Sequence, residues 1–207
     1  MKAIRNLVLV LGDQLDLESS LIKDVDPNSD LIWMAEVEEE SVHVWSHKQK
    51  IVLFLSAMRH FRAALLKQGL PLIYTELEEG AESFAVSLEN TLKEYKPETV
   101  LVLRPGSWRV LKAIQSVCEK ASVELKVSED DHFFTTPDEF KAFAENRKAI
   151  RMEYFYRGLR KQYNVLMEEE EPIGGVGIWI KKTEKRFQNQ GQMGRITGIS
   201  IRQMQLL

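Results

Sequence analysis

The stretch Asn6-Leu-Val-Leu-Val-Leu-Gly-Asp-Gln-Leu15 decides the fold. Its run Leu7–Leu11 is apolar, rich in branched residues and too short for a buried helix, so it predicts a strand covered on both faces. Gly12 follows where the chain must leave the sheet. Asp13 and Gln14 then lie beyond the carboxyl end of the strand, where open α/β sheets bind ligands. In the alternative interpretation this is an ordinary strand-to-helix turn, in which Asp13 caps the next helix.

The composition predicts a globular protein that can build a sizeable core. The chain has 207 residues, of which 44% are hydrophobic and 29% charged, and its formal net charge is −3. That charge argues against a generally basic nucleic-acid binder. No apolar stretch has membrane-spanning length and the start shows no signal peptide, so a cytoplasmic protein without a membrane partner is expected. The single cysteine, Cys118, excludes an internal disulfide and an all-cysteine metal site, and its amphipathic surroundings predict a buried, inert thiol.

Strand-like and helix-like segments alternate along the first two thirds of the chain. The predicted strands are Leu7–Leu11, Leu31–Val37, Leu70–Thr75, Thr99–Leu103 and Glu124–Val127. The predicted helices are Asp16–Lys23, Ile51–Lys67, Ser83–Tyr95, Trp108–Ala121, Pro137–Asn146 and Arg151–Val165. Such alternation implies right-handed crossovers and a five-stranded parallel sheet, doubly wound and Rossmann-like, with the expected strand order 3-2-1-4-5.

Candidate polar residues follow the second strand. Glu36 ends that strand beside the first turn, so it could accept hydrogen bonds from a ribose or ribityl hydroxyl or from a ring N–H. The alternative is that Glu36 and Glu38–Glu40 are solvated surface residues. Lys48 and Lys50 enter a helix, a position that the helix dipole does not favour for cations, which makes a ligand role slightly more attractive. The histidines His43, His47 and His60 lack a metal-ligand pattern and are interpreted as surface or core residues.

A basic and aromatic segment, Arg147–Lys161, allows two interpretations. One is a surface for nucleic acid or for a cofactor domain. The other, favoured by the helical spacing, is a linker helix that packs its apolar side chains on the sheet domain. No Gly-rich phosphate loop, Ser/His/Asp signature or zinc motif is present.

Several motifs, taken in order, resemble those of a known family. They are Leu-Gly-Asp-Gln-Leu at 11–15, Glu-Val at 36–37, His-Lys-Gln-Lys-Ile at 47–51, Ser-Ala-Met-Arg-His-Phe at 56–61, Pro-Gly-Ser-Trp-Arg at 105–109, Met-Glu-Tyr-Phe-Tyr-Arg at 152–157 and Pro-Ile-Gly-Gly at 172–175. On these motifs the chain resembles the amino-terminal domain of the deoxyribodipyrimidine photolyase-related family, the iron–sulfur bacterial cryptochromes and (6-4) photolyases.

The resemblance implies a light-driven function for full-length relatives. In those proteins a larger helical domain carries FAD and a four-cysteine iron–sulfur cluster, and electron transfer from the flavin repairs UV-damaged DNA. The α/β domain holds an antenna chromophore, 6,7-dimethyl-8-ribityllumazine, at the strand ends. Carried over to this sequence, the residues that line or flank that pocket are Gly12, Asp13, Gln14, Glu36, Lys48, Lys50 and Ile51.

The sequence also departs from the family. The helical domain is absent and Cys118 matches no cluster ligand, so the chain is expected to retain at most chromophore binding, without catalytic or metal-binding residues. The expected organisation is an antenna domain at 1–134, a helical linker at 135–175 and a poorly ordered tail at 176–207. Back-translated with permitted codons and read in a shifted frame, the start of the tail gives Trp-Asn-Leu-Asp-Lys-Glu-Asn-Arg-Lys, close to the family's sequence. We therefore expect that one base was lost near codon 176 and that the tail is out of frame.

Two other hypotheses remain open from the sequence. The first is a stand-alone nucleotide- or flavin-binding module, or a protein-interaction domain, on the same sheet. The second is an inert remnant whose pocket is completed only by the missing domain, with an exposed apolar patch that favours self-association.

Overall fold

The structure of the chain is a computed structural model that describes residues 4–37, 47–79 and 83–173. The chain divides into two compact units, Met1–Glu139 and Phe140–Leu207. The predictions for Glu38–Glu40, His43 and the tail 176–207 lie outside the described residues. Within the described ranges, no helix is both long and apolar enough to cross a bilayer.

The first unit contains a five-stranded parallel sheet in the order β3-β2-β1-β4-β5. Its strands are β1 (Asn6–Leu9), β2 (Asp30–Ala35), β3 (Leu72–Thr75), β4 (Thr99–Leu103) and β5 (Glu124–Ser128). Leu7 of β1 lies between Leu31 of β2 and Val100 of β4. The predicted parallel sheet and its strand order are therefore confirmed.

Alternate residues of β1 enter two different cores, one on each face of the sheet. The helices of this unit are α1 (Ser20–Lys23), α2 (Lys48–Lys67), α3 (Phe84–Tyr95) and α4 (Trp108–Ala121). Leu7 and Leu9 belong to a core that includes side chains of α3 and α4, whereas Val8 and Val10 belong to one that includes side chains of α1 and α2. The side chains of a strand alternate between the two faces of the sheet. A strand that is buried on both faces therefore has apolar residues at every position of its sequence.

Helix α2 begins at Lys48, three residues before the predicted start at Ile51. The side chain of His47 provides the cap: its Nδ1 accepts a hydrogen bond of 3.2 Å from the backbone N–H of Gln49. Histidine is not among the usual capping residues, so this helix start could not be predicted from the residue that caps it. The helix ends as predicted, because Gly69 adopts the left-handed conformation (φ +75°) that follows many helix ends.

Other boundaries differ in ways that local hydrogen bonding explains. Helix α1 is shorter than the predicted Asp16–Lys23, because the Asp16 carboxylate accepts a hydrogen bond of 2.8 Å from the backbone N–H of Glu18 and forms a turn instead. A short 3₁₀ helix, Leu77–Glu79, follows β3 and was not predicted.

The second unit contains helical and hairpin structure. Helix α5 (Pro137–Ala144) crosses the boundary between the units, and α6 (Met152–Gln162) follows it. Phe155 of α6 is buried against Phe140 and Phe143, with ring centroids 5.1 and 4.8 Å apart respectively. A two-stranded antiparallel ribbon, β6 (Met167–Glu168) with β7 (Glu171–Pro172), was not predicted from the sequence.

Candidate ligand-binding site

A cavity of about 310 Å³ opens at the carboxyl edge of the sheet, where β1, β2 and β4 end. The walls are mostly apolar. The lining residues are Val10, Leu11, Gly12, Asp13, Ala35, Glu36, Val37, Lys50, Ile51, Phe54, Leu55, Met58, Phe84, Pro105, Ser107 and Val110. We call this space the ring cavity. Its position is the crevice in which open α/β sheets bind their ligands.

Gly12 is required by the close approach of helix α2 to the end of β1. A Cβ atom at this position would lie 2.5 Å from Cζ of Phe54 and 2.9 Å from Sδ of Met58, which is closer than van der Waals contact allows. The absence of a side chain lets the Phe54 ring cover the turn and form one wall of the ring cavity. Phe54 itself is 41% exposed, so its ring stands between the cavity and solvent.

Glu36 lies at the ring cavity, but its carboxylate is occupied by protein donors. Oε1 accepts hydrogen bonds from Nε of Arg59 (2.7 Å) and from the hydroxyl of Tyr74 (2.5 Å). Oε2 accepts from Nη2 of Arg59 (2.8 Å) and from the backbone N–H of Leu77 (3.0 Å). A carboxylate has about four acceptor positions, so a ligand donor would have to displace one of these groups.

Glu36 is 1% exposed, and its surroundings keep it ionised. Burial alone would raise the pKa of its carboxyl, but the hydrogen bonds from Arg59, Tyr74 and Leu77 outweigh that effect and lower the pKa below its usual value. The same pairing raises the pKa of the Arg59 guanidinium, which also contacts Glu78 at 3.0 Å. The arrangement holds α2, β2 and the segment after β3 together directly beside the cavity.

The sequence-predicted lysines differ in position. Lys50 and Ile51, in the first turn of α2, line the ring cavity together with Gly12, Asp13 and Glu36. Lys48 is the first residue of α2, is exposed and is not among the lining residues. The helix start therefore brings one lysine to the cavity and leaves the other at the surface.

Gln14 belongs to a second cavity of about 200 Å³, which shares Gly12 and Asp13 with the ring cavity. Its lining residues are Gly12, Asp13, Gln14, Leu15, Asp16, Leu103, Asp130 and His132. We call this space the acidic cavity. Nε2 of Gln14 donates to the backbone carbonyl oxygens of Leu103 and Arg104, each at 3.2 Å, which ties the first turn to the end of β4.

Much of the cavity wall was missed from the sequence. Phe54 was not among the predicted site residues, although it lines the ring cavity. Pro105 and Ser107 follow β4, which neighbours β1, so the strand order alone could have suggested them. Arg59 and Tyr74 were also missed; the available signal was that a buried carboxylate needs cationic or hydroxyl partners.

The described residues contain no group of three or more His, Cys, Asp or Glu side chains arranged to hold a metal ion. Cys118 is 1% exposed, which confirms that the thiol is buried, and burial raises its pKa to about 11. An iron–sulfur cluster held by four cysteines does not fit this chain, because its 207 residues include one cysteine.

Comparison with known proteins identifies the family to which this chain is similar. The family model described as deoxyribodipyrimidine photo-lyase-related protein matches residues 8–179. A (6-4) photolyase of Agrobacterium fabrum (strain C58) is 35% identical over 171 residues, which cover 82% of this chain and 34% of the photolyase. The uncharacterized protein R852 of Acanthamoeba polyphaga mimivirus is 21% identical over 198 residues, which cover 90% of this chain and 97% of that protein. The chain thus spans about a third of the photolyase and nearly all of the viral protein.

Proposed function

Because this chain belongs to the deoxyribodipyrimidine photolyase-related family, we propose that its α/β unit binds a ribityllumazine-type antenna chromophore in the ring cavity. The observation that carries the proposal is the cavity itself: an apolar space of about 310 Å³ at the carboxyl edge of the sheet. It is lined from the ends of both β1 and β4, between which the strand order changes direction. Ligands of open α/β sheets bind at such a switch point.

The ring cavity fits a planar heteroaromatic group. Its volume is at the lower end of the range of about 300–1,000 Å³ that is typical of small-molecule sites. Phe54, Phe84 and Val110 offer apolar surface to the faces of a ring, while Lys50 and Ser107 offer polar groups to its edge. When bound, a ribityllumazine supplies absorption of near-visible light; the residues supply binding, orientation and exclusion of water.

The lysine and the serine are the donors that this proposal assigns to the ligand. Glu36 already accepts four hydrogen bonds from the protein, so its contribution is to fix Arg59 and the surrounding segments. Lys50 is in the first turn of α2, and Ser107 immediately precedes α4 without a side-chain cap hydrogen bond. Both side chains can therefore turn towards ring oxygen or nitrogen atoms without breaking a helix cap.

The activity of full-length relatives is not assigned to this chain. The matched part covers 34% of the (6-4) photolyase. Under our proposal this chain is a chromophore-binding part, and flavin, iron–sulfur and DNA chemistry belong to other parts of longer relatives. We also propose that the tail 176–207 is out of frame. Sequencing the coding DNA tests this: a shifted frame that continues into a cysteine-bearing helical domain supports it, and one that meets an immediate stop contradicts it.

A second candidate is a stand-alone ligand-binding module of the same fold. The observation that favours it is the coverage of 97% of the viral protein, a relative of nearly the same length. Such a module could take a flavin or an adenine nucleotide in the same cavity. A competition experiment distinguishes the two candidates. Excess adenosine monophosphate should leave bound lumazine in place at an antenna-chromophore site, whereas it should displace the lumazine from a nucleotide site.

The proposal is tested by titrating the purified chain into 6,7-dimethyl-8-ribityllumazine and following the fluorescence anisotropy of the ligand. The informative variant is Ser107→Trp, which places a large side chain in the ring cavity. The matched control is Ser116→Trp in α4, the helix that follows Ser107, at an exposed position that does not line either cavity. We expect saturable binding to the wild type, at least about tenfold weaker binding to Ser107→Trp, and unchanged binding to Ser116→Trp.

Two results would contradict the proposal. The first is the absence of saturable lumazine binding by the folded wild-type chain. The second is binding that Ser107→Trp leaves unchanged, because the ligand would then occupy another part of the protein. Circular dichroism of both tryptophan variants establishes that the comparison is made between folded proteins.

A further inference from the structure

We propose that one side of helix α2 is a contact surface for a second copy of this chain, and that the two α2 helices pack antiparallel across a two-fold axis. We call this surface the α2 outer face. Its residues recur at the three- and four-residue spacing that places side chains on one side of a helix. They are Val52, Leu53, Ser56, Ala57, His60, Ala63 and Leu66, and all are exposed. The proposal goes beyond ligand binding in the ring cavity and does not depend on it.

The α2 outer face is exposed, yet it contains no aspartate, glutamate, lysine or arginine. Val52 is 66% exposed, Leu53 is 71% exposed and Leu66 is 51% exposed. Charged residues make up about 25–35% of a typical soluble surface. By contrast, the exposed positions of α4 include Lys112, Glu119 and Lys120. A helix side that is both exposed and free of these charges is typical of a surface that another molecule covers.

The rest of α2 is already engaged within the chain. Its buried residues are Met58, Phe61 and Leu65. Arg59 lies at the margin of the α2 outer face, and its guanidinium is paired with Glu36 at 2.7 Å and with Glu78 at 3.0 Å. A partner that packs on the outer face therefore meets apolar and small side chains without having to separate an ion pair.

The order of side-chain sizes along the α2 outer face suits a two-fold axis. Leu53 and Leu66 are equally far from the point between residues 59 and 60, and so are the small residues Ser56 and Ala63. In an antiparallel pair with its axis at that point, Leu53 of one copy meets Leu66 of the other, and Ser56 meets Ala63. His60 of each copy then lies beside the axis. Small residues near the centre allow the two helices to approach to about 8 Å, at the lower end of the usual range.

The dimensions of the α2 outer face fit a weak dimer. The helix has 20 residues, so it is about 30 Å long and about 10 Å wide. One side of such a helix presents roughly 500 Å², and two copies would bury roughly 1,000 Å² in total. This total is just below the range of about 1,200–2,000 Å² that is usual for stable complexes. We therefore expect a dissociation constant of about 10–100 µM.

A second copy suits this surface better than a charged partner does. A nucleic acid or an acidic peptide gains its affinity from lysine and arginine side chains, and the α2 outer face contains neither. A second α2 helix has the same length and likewise brings no charge into the centre of the contact. The structure therefore favours self-association through this helix.

The first experiment is sedimentation velocity of the full chain at concentrations from about 5 to about 500 µM, a range that brackets the expected dissociation constant. The informative variant is Ser56→Glu, which places a charge within the contact. The matched control is Ser116→Glu, the same substitution at an exposed position of α4. We expect the wild type and the control to dimerise alike, and Ser56→Glu to dimerise at least about tenfold more weakly, because a buried charge without a partner is unfavourable. Circular dichroism establishes that both variants are folded.

The second experiment tests the position of the axis by disulfide cross-linking. A disulfide requires Cα atoms about 4.4–6.8 Å apart, which residues beside a two-fold axis can satisfy. His60→Cys is compared with Ser116→Cys, each oxidised by copper phenanthroline in air. The native Cys118 is 1% exposed, so its thiol should not compete. We expect the cross-linked dimer to form at least about tenfold faster in His60→Cys than in Ser116→Cys.

Three results would overturn the proposal. The first is a wild-type chain that remains monomeric at about 500 µM, well above the expected dissociation constant. The second is a dimer that Ser56→Glu leaves unchanged, because the copies would then meet through another surface. The third is equal cross-linking of the two cysteine variants, which would exclude an axis beside His60. None of these measurements uses lumazine, so the proposed function is tested separately.

Discussion

Replacing Glu36 by glutamine should strongly destabilise the α/β unit while leaving its volume almost unchanged. The variant keeps one acceptor oxygen and turns the other into an NH₂ donor. One pair of donors, either Arg59 Nε with the Tyr74 hydroxyl or Arg59 Nη2 with the Leu77 N–H, then faces another donor. The guanidinium also loses its buried anion.

The size of the destabilisation depends on how far water and other side chains replace the hydrogen bonds that Glu36 accepts. Removing one partner of a buried ion pair typically costs about 3–5 kcal/mol. Glu36 is buried, but the Arg59 side chain is 41% exposed and keeps Glu78 at 3.0 Å, so water and Glu78 restore part of the loss. We expect a loss of about 2–3 kcal/mol, or a decrease in Tm of about 10 °C for a unit of this size.

The assay is thermal and urea unfolding of wild type and Glu36→Gln at several pH values. The pKa of Glu36 is lowered in the folded state, so its contribution is complete above the pKa of the unfolded chain, near 4.3, and is lost as the pH falls through the folded-state pKa. The difference between the two proteins should therefore be full at neutral pH and shrink in acid. Glu89→Gln, in an exposed pair with Lys93, is the control and should change Tm much less. A neutral-pH difference no larger than that of the control would refute the reasoning.

Three further predictions follow from single positions. Gly12→Ala should push the Phe54 ring outward because its Cβ would lie 2.5 Å from Cζ; we expect a small change in Tm and about tenfold weaker lumazine binding by anisotropy, and unchanged affinity would contradict this. Cys118 should react with a disulfide reagent at pH 8 at least about 100-fold more slowly in the folded protein than in denaturant, since its pKa is about 11 and its thiol is buried; equal rates would overturn this. Ser122→Gly should stabilise the protein by about 0.5–1 kcal/mol in urea unfolding, because Ser122 caps α4 in the left-handed conformation (φ 55°), and a lower stability would count against that account.

Sequence patterns predicted the centre of the sheet well because β1 and β4 are buried on both faces. The run Leu7–Leu11 is continuous because its alternate side chains enter two cores, and the same reasoning identified β4. Chain order and the handedness of crossovers then gave the strand order. Helix starts were harder to predict: α2 begins before Ile51 because an unusual cap, His47, replaces the residues that mark most helix starts.

The location of the site could be predicted from the sequence, but most of its side-chain contacts could not. Residues that follow neighbouring parallel strands meet at one edge, so Gly12, Asp13 and Glu36 could be placed together. The partners of Glu36 could not be predicted, because Arg59 and Tyr74 reach it only through the exact register of α2 and β3. When each segment of the sequence is considered by itself, Arg59 and Tyr74 carry polar groups of the kind expected at a protein surface.

The most direct test of the central claim is to record ¹⁵N–¹H correlation spectra of the chain during titration with 6,7-dimethyl-8-ribityllumazine. Our account predicts saturable shifts concentrated at the backbone amides of Gly12, Asp13, Lys50, Phe54 and Ser107, which surround the ring cavity. Saturable shifts confined to other parts of the chain, or spectra that do not change at saturating ligand, would contradict it.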